Sequence, residues 1–380
     1  MFLNRLRLEN FRRFKDVEVK FAKRLSVLVG INGAGKSSVL SAISTLLSWY
    51  VRRLVSPNGT GAGMAISERD IKTDALSTTI ALAIDDVGRK VSWSVSKAVK
   101  GAPIFDVRSD LKALTEYVKD LRARKLASVP IIAAYTVNRS VLDIPLRIKK
   151  HHEFSVLSAY DDAFDRAADF RRFFEWFREW EDVENERIAD TLSAGDVPYL
   201  ANNELAAVRR ALSRFLPEFS DWKIRRTPLR MEVKKDGEAL SVDQLSDGEK
   251  CMIALVGDLA RRLVVANPMQ EDPLLGNGIV LVDEIELHLH PEWQKSVLPR
   301  LLQTFPNVQF VVTTHSPLVL AQLNSLLYRM QDEIAVFGLR SGSVVSLRDP
   351  DTGLIMASEM DDAVDAVDEE FDALLSGDAK

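Results

Sequence analysis

Two adjacent carboxylates, Asp283 and Glu284, follow the apolar run Ile279-Val280-Leu281-Val282 and precede Ile285-Glu286-Leu287-His288-Leu289-His290-Pro291. Four apolar residues rich in β-branched types are too short for a helix. They read as a buried strand that delivers both acids to its C-terminal end. An unpaired buried carboxylate costs several kcal/mol, so the pair is expected to face a cation or a water that it activates. Three other stretches call for the same ligand: Gly30-Ile31-Asn32-Gly33-Ala34-Gly35-Lys36-Ser37, Leu245-Ser246-Asp247-Gly248-Glu249-Lys250 and Thr313-Thr314-His315-Ser316-Pro317.

The glycine-rich stretch directly follows the apolar Leu25-Ser26-Val27-Leu28-Val29 and precedes Ser38 to Leu54, where Val39, Leu40, Ile43, Leu46 and Leu47 recur at helical spacing. Strand, glycine loop and helix is the context of a Walker A loop. Gly30, Gly33 and Gly35 let backbone N–H groups curl around a β-phosphate, and Asn32, Ala34 and Ser38 belong to the same ATP-binding segment. The helix N-terminus adds its positive end, Lys36 reaches the β- and γ-phosphates, and Ser37 ligates Mg²⁺. ATP and Mg²⁺ are therefore the expected ligands. Asp283 is expected to hold Mg²⁺ through water, and Glu284 to polarise the water that attacks the γ-phosphate. Ser246 and Gly248, with Glu249, stand before a helical pattern through Met252, Leu255, Val256, Leu259 and Leu263, where a hydroxyl, backbone N–H groups and a helix dipole meet an anion. His288 and His290 could converge on zinc, but Leu287 and Leu289 alternate with them and no cysteine lies nearby, so zinc is not the reading adopted.

The positioning elements follow from periodicity. Leu3 to Glu9 and Val17 to Phe21 alternate, as two strands of a half-exposed antiparallel element joined by a turn holding Arg12 and Arg13. Thr78 to Ile84 and Lys90 to Val95 read as a hairpin around Asp85-Asp86-Val87-Gly88. From about 96 to 235 the period is mostly helical, interrupted by the buried-looking Val129 to Tyr135. Phe170, Phe173, Phe174, Trp176, Phe177 and Trp180 crowd one helix, either as an internal core or as a face for another subunit. Leu205, Val208, Leu212, Phe215 and Leu216 form a second stripe, with Arg209, Arg210 and Arg214 toward the other side as a candidate DNA-facing patch. No heptad repeat persists, which excludes a long coiled coil.

A chain of 380 residues with 46% hydrophobic and 28% charged content is expected to fold, as one large α/β domain with an insertion or as two to three smaller domains. No run reaches the roughly 18 apolar residues of a membrane span, the start lacks a secretory core, and Cys251 is the sole cysteine. These features set a cytoplasmic location and no membrane partner as expectations. The net charge of -5 is uneven: nine acidic residues and one lysine lie between Glu359 and Lys380, leaving the rest at +3. A mildly basic body permits duplex DNA as a partner. The tail's apolar residues recur at three or four, so a docking helix is one reading and a solvated end the other.

Leu245 to Lys250 resembles the signature motif of ABC-type ATPases, in the form written by the SMC/RecF-like branch. With the loop at 30–37, the acid pair, His315 and Asn10-Phe11-Arg12-Arg13-Phe14, the chain resembles RecF/OLD-type ATPases of the AAA family. It is similar to the small ATPases of the Septu and retron phage-defence systems, supported by Ala134-Tyr135-Thr136-Val137-Asn138-Arg139 and Phe174-Glu175-Trp176-Phe177-Arg178-Glu179-Trp180. The resemblance implies an α/β fold: an ABC-type P-loop ATPase head with a central mixed sheet, an N-terminal antiparallel subsheet and a mainly helical inserted lobe. It divides the chain into 1–95 and 236–350 as the two parts of the head, 96–235 as the insertion and 351–380 as the acidic tail. It further implies that Arg12 approaches the nucleotide and that His315 senses the γ-phosphate. Glu286, Leu287 and His288 would form a D-loop crossing a head-to-tail dimer, and Ser246 and Gly248 would cap the γ-phosphate held by the opposite protomer.

Two departures from that pattern stand out. ABC enzymes use a loop glutamine at Mg²⁺, yet residues 1–243 contain none, leaving Glu68, Asp70 or Asn138 as substitutes. Only 65 residues follow His315, too few for the nuclease domain of the OLD type, so any nuclease or toxin effector is expected on another polypeptide. The expected function is an ATPase subunit that controls such an effector through ATP-dependent dimerisation. The alternatives are a RecF-like DNA clamp and a scaffold that binds ATP with little turnover.

Overall fold

Alternation from Phe2 onward forms β1 (Phe2–Phe11), which turns at Arg12 and Arg13 into β2 (Phe14–Lys20). Leu6 and Leu8 of β1 are buried while Arg5, Arg7 and Glu9 face solvent, the two-residue period of a half-covered strand. The computed structural model describes residues 1–102, 107–124, 127–137, 155–164, 170–194, 203–340, 342–349 and 351–355. The acidic tail from Glu359 and residue Asn138 lie outside the described residues.

The unbroken apolar run becomes β3 (Leu25–Val29), all five residues buried, and leads through the glycine loop into α1 (Lys36–Val55). β4 (Ser77–Asp86) and β5 (Arg89–Ala98) follow as a hairpin through Val87 and Gly88, both at positive φ. They complete a four-stranded antiparallel sheet of order β2-β1-β4-β5. Trp93 Nε1 donates to the Leu46 carbonyl at 3.0 Å, which ties this sheet to α1.

Next come α2 (Lys112–Ala123), β6 (Ile131–Tyr135), α3 (Phe170–Ala194) and α4 (Asn203–Phe215). β7 (Phe219–Arg226), β8 (Leu229–Lys235) and β9 (Glu238–Ser241) then form a separate antiparallel sheet. The stretch read as mainly helical therefore also holds strands, because Ile131–Tyr135 is five consecutive buried residues that a sheet can cover on both faces. After α5 (Asp247–Ala266) come β10 (Gly278–Val282), the short α6 (Pro291–Gln294) and α7 (Val297–Thr304), and β11 (Val308–Thr314). The fold ends with α8 (Pro317–Ala321), α9 (Leu323–Arg329), β12 (Ile334–Arg340) and β13 (Ser343–Ser346).

The central sheet has the order β13-β12-β3-β11-β10-β6; five strands are parallel and β13 alone is antiparallel. This is an α/β fold with a mixed central sheet, an N-terminal antiparallel subsheet and a helical lobe, the arrangement expected from the resemblance, and no long coiled coil occurs among the described residues. Gln309, buried on β11, joins the two sheets: its amide donates to the Leu3 and Ala22 carbonyls and accepts from Leu3 N–H at 2.6 Å. No described helix is long and apolar enough to cross a membrane.

Two expected surfaces make contacts within the chain. Phe170, Phe173, Phe174, Trp176 and Phe177 are buried, and α3 packs on α5. The aromatic helix is core, so it is not a docking face. On α4, Arg209 pairs with Glu184 at 2.7 Å and with Glu181 at 3.6 Å, and Arg210 pairs with Asp272 at 3.1 Å. Both guanidiniums pair with carboxylates of this chain; Arg209 is half-buried, while Arg210 and Arg214 are exposed.

Beyond its first turn α5 is buried at every residue from Cys251 to Ala266, as a helix at the centre of a protein must be. The charged residues of that stretch are Asp258, Arg261 and Arg262. Asp258 receives Arg261 at 2.6 Å, Arg262 at 2.8 Å and the Tyr135 hydroxyl at 2.8 Å. Burial alone would raise the Asp258 pKa, but Arg262 and Arg261 hold it well below the usual carboxylate range. Asp258→Asn strands two buried guanidiniums and is expected to destabilise the protein by about 3–5 kcal/mol in denaturant unfolding. Because the folded pKa is depressed, this contribution is whole above about pH 4. It is lost as pH falls toward the folded value, so the gap between wild type and variant narrows in acid.

Candidate functional site

Val29, Val282 and Thr314 end three neighbouring parallel strands, with Thr314 in register with Val29 and Val282 with Val312. The chain leaves all three at one sheet edge. Residues 30–37, the turn from Asp283 and His315 therefore share the carboxyl ends of a parallel sheet, where open α/β folds place their ligands.

The glycine loop is closed by its own neighbours. Gly35 sits at φ 108, and a Cβ there would lie 2.8 Å from the Phe14 ring, so the position needs glycine twice over. Lys36 is buried, and its ammonium donates to the carbonyls of Gly30 at 2.5 Å and Ile31 at 3.1 Å. The Arg13 guanidinium donates to the Gly33 carbonyl. Asn32, Gly33 and Ser37 are exposed, Gly35 and Ser38 half-buried, and Ala34 buried.

Arg12 lies beside this loop. Its guanidinium pairs with Asp70 at 2.9 Å and reaches the hydroxyls of Ser38 at 3.3 Å and Ser41 at 3.2 Å. Asp70 also closes a capping box with Ser67, so the arginine is held along the first turns of α1. Asp70, one of the three substitutes for the missing glutamine, is thus committed to Arg12. Glu68 is exposed two residues away.

At the end of β10, Asp283 is buried, and one carboxylate oxygen accepts from the Thr313 hydroxyl at 2.6 Å. The same hydroxyl accepts the Glu284 N–H at 2.7 Å, and the Thr313 carbonyl accepts the Ile285 N–H at 3.0 Å. Glu284 takes φ 47, a conformation that L residues avoid. The Asp283 N–H donates to the Tyr135 carbonyl at 2.8 Å. Asp283 enters none of the ion pairs found among the described residues. A buried carboxylate without a counter-charge, on the same edge as the exposed Ser37 hydroxyl, is a hard-oxygen donor set that fits Mg²⁺.

Glu286 is buried in its own chain, where it accepts the His315 N–H at 2.7 Å and lies 3.0 Å from the His315 ring Nδ1. Within one copy, this acid of the expected D-loop holds the main chain at the histidine. Leu287 is half-buried and His288 exposed at φ 63, while His290 caps α6 by accepting the Glu292 N–H. Gln294 links the loop to the next segment: it donates to the Leu289 carbonyl and accepts from the Ser316 hydroxyl at 2.6 Å.

The residues at 245–250 start α5. Ser246 is its N-cap in a reciprocal capping box with Glu249. The Glu249 carboxylate accepts from Ser246 N–H and hydroxyl at 2.8 Å and from Lys235 at 2.5 Å. Burial would raise its pKa, but Lys235 and Ser246 keep it below the ordinary value. Its carboxylate thus braces the helix start. Gly248 lies against the loop after the acid pair, where an added Cβ would stand 2.3 Å from the His288 carbonyl. Ser246, Gly248, Glu249, His288 and His290 line a cleft of about 860 Å³ that includes no residue of 30–38. One copy of the chain therefore brings the glycine loop, the acid pair and His315 to the same end of the sheet, while the helix-start serine lines a cleft that none of them lines. The periodicity and motif reading gave no role of their own to Thr313, Tyr135 and Gln294; for the first two the sequence signal is a polar atom at the end of an apolar run.

Residues 25–321 match the family model described as "AAA domain, putative AbiEii toxin, Type IV TA system". The chain is 33% identical to "Retron Ec83 probable ATPase" of Escherichia coli, over 84% of this chain and 69% of that protein. It is 32% identical to "Retron Vc95 probable ATPase" of Vibrio cholerae, over 87% of this chain and 74% of that protein. A shorter likeness, 43% over 22% of this chain and 11% of the other, joins it to "Septu protein PtuA" of Bacillus mycoides.

Gly248→Ala must push the first turn of α5 away from the His288 carbonyl. Its expected cost is about 1–3 kcal/mol, read as a lower denaturant midpoint with an unchanged slope.

Proposed function

This chain belongs to the AAA-domain family described as "putative AbiEii toxin, Type IV TA system", which makes it a P-loop ATPase of the SMC/RecF-like kind, and we propose that it is the ATP-binding and hydrolysing subunit of a bacterial anti-phage defence complex. One observation supports the mechanism: Ser246 and Gly248 line a cleft to which the glycine loop at 30–38 contributes no residue. Two copies set head to tail would bring the two together, each ATP lying between residues 30–38 of one copy and Ser246 and Gly248 of the other. ATP is then part of the interface, so binding closes the dimer and hydrolysis reopens it.

In this reading the backbone N–H groups of residues 30–38 hold the phosphates, and Lys36 exchanges its loop carbonyls for phosphate oxygens. Arg12, held at Ser38 by Asp70, adds positive charge beside the loop. Ser37 and Asp283 would hold Mg²⁺, which when bound neutralises charge on the phosphates. Glu284 orients and deprotonates the attacking water, and His315, aimed by Glu286, reads the γ-phosphate. The resemblance to retron and Septu proteins supports a separate nuclease or toxin effector as the element controlled.

A scaffold with little turnover is the second reading, favoured by the absence of glutamine from residues 1–243 and by the commitment of Asp70 to Arg12. Comparison of wild type with Glu284→Gln separates the two. Loss of a general base lowers hydrolysis by roughly 10²- to 10⁴-fold. ATP should then hold the variant as a two-copy species in sedimentation, while wild type returns to one copy. Equal, residual turnover in both proteins supports the scaffold, and a mass that ATP never changes removes the dimer.

A further inference from the structure

Thr313 carries no role in the hydrolytic scheme, yet it touches both acids of the site. It is fully buried on β11, and its hydroxyl is 2.6 Å from Asp283 and 2.7 Å from the Glu284 amide nitrogen. A hydroxyl has one hydrogen to give. Because the Glu284 N–H can only donate, the oxygen of Thr313 must accept there and its hydrogen must point to Asp283. The direction of both bonds is thereby settled. One carboxylate oxygen of Asp283 is committed to the chain, which leaves the other for a cation.

The same residue also fixes the backbone that carries the acids. Its carbonyl accepts the Ile285 N–H at 3.0 Å, so Thr313 grips residues 284 and 285 from both its side chain and its main chain. Between those grips Glu284 is held at φ 47, which turns its side chain out of the direction that a continuing strand would give it. A valine of the same shape would pack equally well at this strand position. What valine lacks is the hydroxyl, so packing alone does not account for threonine.

We infer that Thr313 is a positioning residue of the ATPase site: its hydroxyl orients Asp283 for the cation and locks Glu284 in the left-handed turn that aims it at the water. The inference rests on the proposed hydrolysis of ATP. Thr313 transfers no proton and contacts no substrate; it acts only through the two acids.

Thr313→Val removes the hydroxyl and keeps the shape, Thr313→Ala removes it with the methyl, and Thr313→Ser restores it. Each protein is assayed for kcat and KM, for ATP binding with and without Mg²⁺ by calorimetry, and for its unfolding midpoint. A hydrogen bond to a charged group corresponds to roughly ten- to hundredfold, so Thr313→Val should lose that much in kcat. Its affinity for ATP alone should stay within about twofold, whereas Mg²⁺ should strengthen ATP binding less than in wild type. Thr313→Ser should recover most of both effects. The inference is overturned if Thr313→Val keeps wild-type kcat and Mg²⁺ response, or if Thr313→Ser is as impaired as Thr313→Val. It is also overturned if both hydroxyl-free variants merely fail to fold while Thr313→Ser is normal, since Thr313 would then be structural. A wild-type protein that hydrolyses no ATP removes the hydrolytic reading, and the Mg²⁺ response of ATP binding still decides the role of Thr313.

Discussion

Parallel strands buried on both faces have no room for polar side chains except at their ends, and that constraint organises this molecule. β3, β6 and β10 are buried along every residue, and β11 is buried through Thr314. The chain can turn polar only where it leaves the sheet. Because the strands are parallel and nearly in register, their exits coincide. The glycine loop, the acid pair and the histidine meet there although some 280 residues separate the first from the last.

A second constraint ties the signature helix to that edge. α5 is too deeply buried to carry charge cheaply, yet it holds Asp258, Arg261 and Arg262. Such groups persist only when every donor and acceptor is met, and a satisfied network allows few alternative geometries. Here the network ends on the Tyr135 hydroxyl, and the Tyr135 carbonyl receives the Asp283 N–H. Burial and the neighbouring Asp258 push the Tyr135 phenol far up, so it stays a neutral donor at ordinary pH. The helix that begins at Ser246 and the strand that ends at Asp283 are thus joined by one residue of an edge strand. At the other end of α5, Gly248 rests on the His288 carbonyl. Two contacts from one helix therefore reach the turn that follows the acid pair.

Several charged residues that read as partners for a ligand or a neighbour are satisfied within the chain. Arg12 has Asp70, Glu249 has Lys235, Arg209 has Glu184 and Glu181, and Glu286 accepts the His315 N–H. The energetic reason is general: a half-buried charge is costly unless paired, and the chain supplies the pair before any ligand arrives. These pairs also hold side chains in one geometry. Arg12 stays beside Ser38, and His315 stays beside the acid turn.

The periodic features are legible in the amino-acid order alone: the two-residue alternation of β1, the apolar runs of β3 and β10, the helix after the glycine loop and the capping residues of α5. Each depends on contacts a few residues apart, and so do the glycine loop, the acid pair and Ser246. The aromatic helix shows the limit. Density of Phe and Trp says that α3 must be covered but not by what, and the tertiary fold covers it with the chain itself. The roles of Thr313, Tyr135 and Gln309 are not legible in that way, because a lone polar atom in an apolar run acquires a partner only when strands distant in sequence are laid side by side. The sequence by itself determined which residues have the types and spacing expected of a phosphate-anhydride site, since that is a matter of residue type and local spacing. Tertiary structure alone decided which of them meet, since the register of strands distant in sequence brings the glycine loop, the acid pair and His315 to one end of the sheet, whereas Ser246 lines a cleft without them.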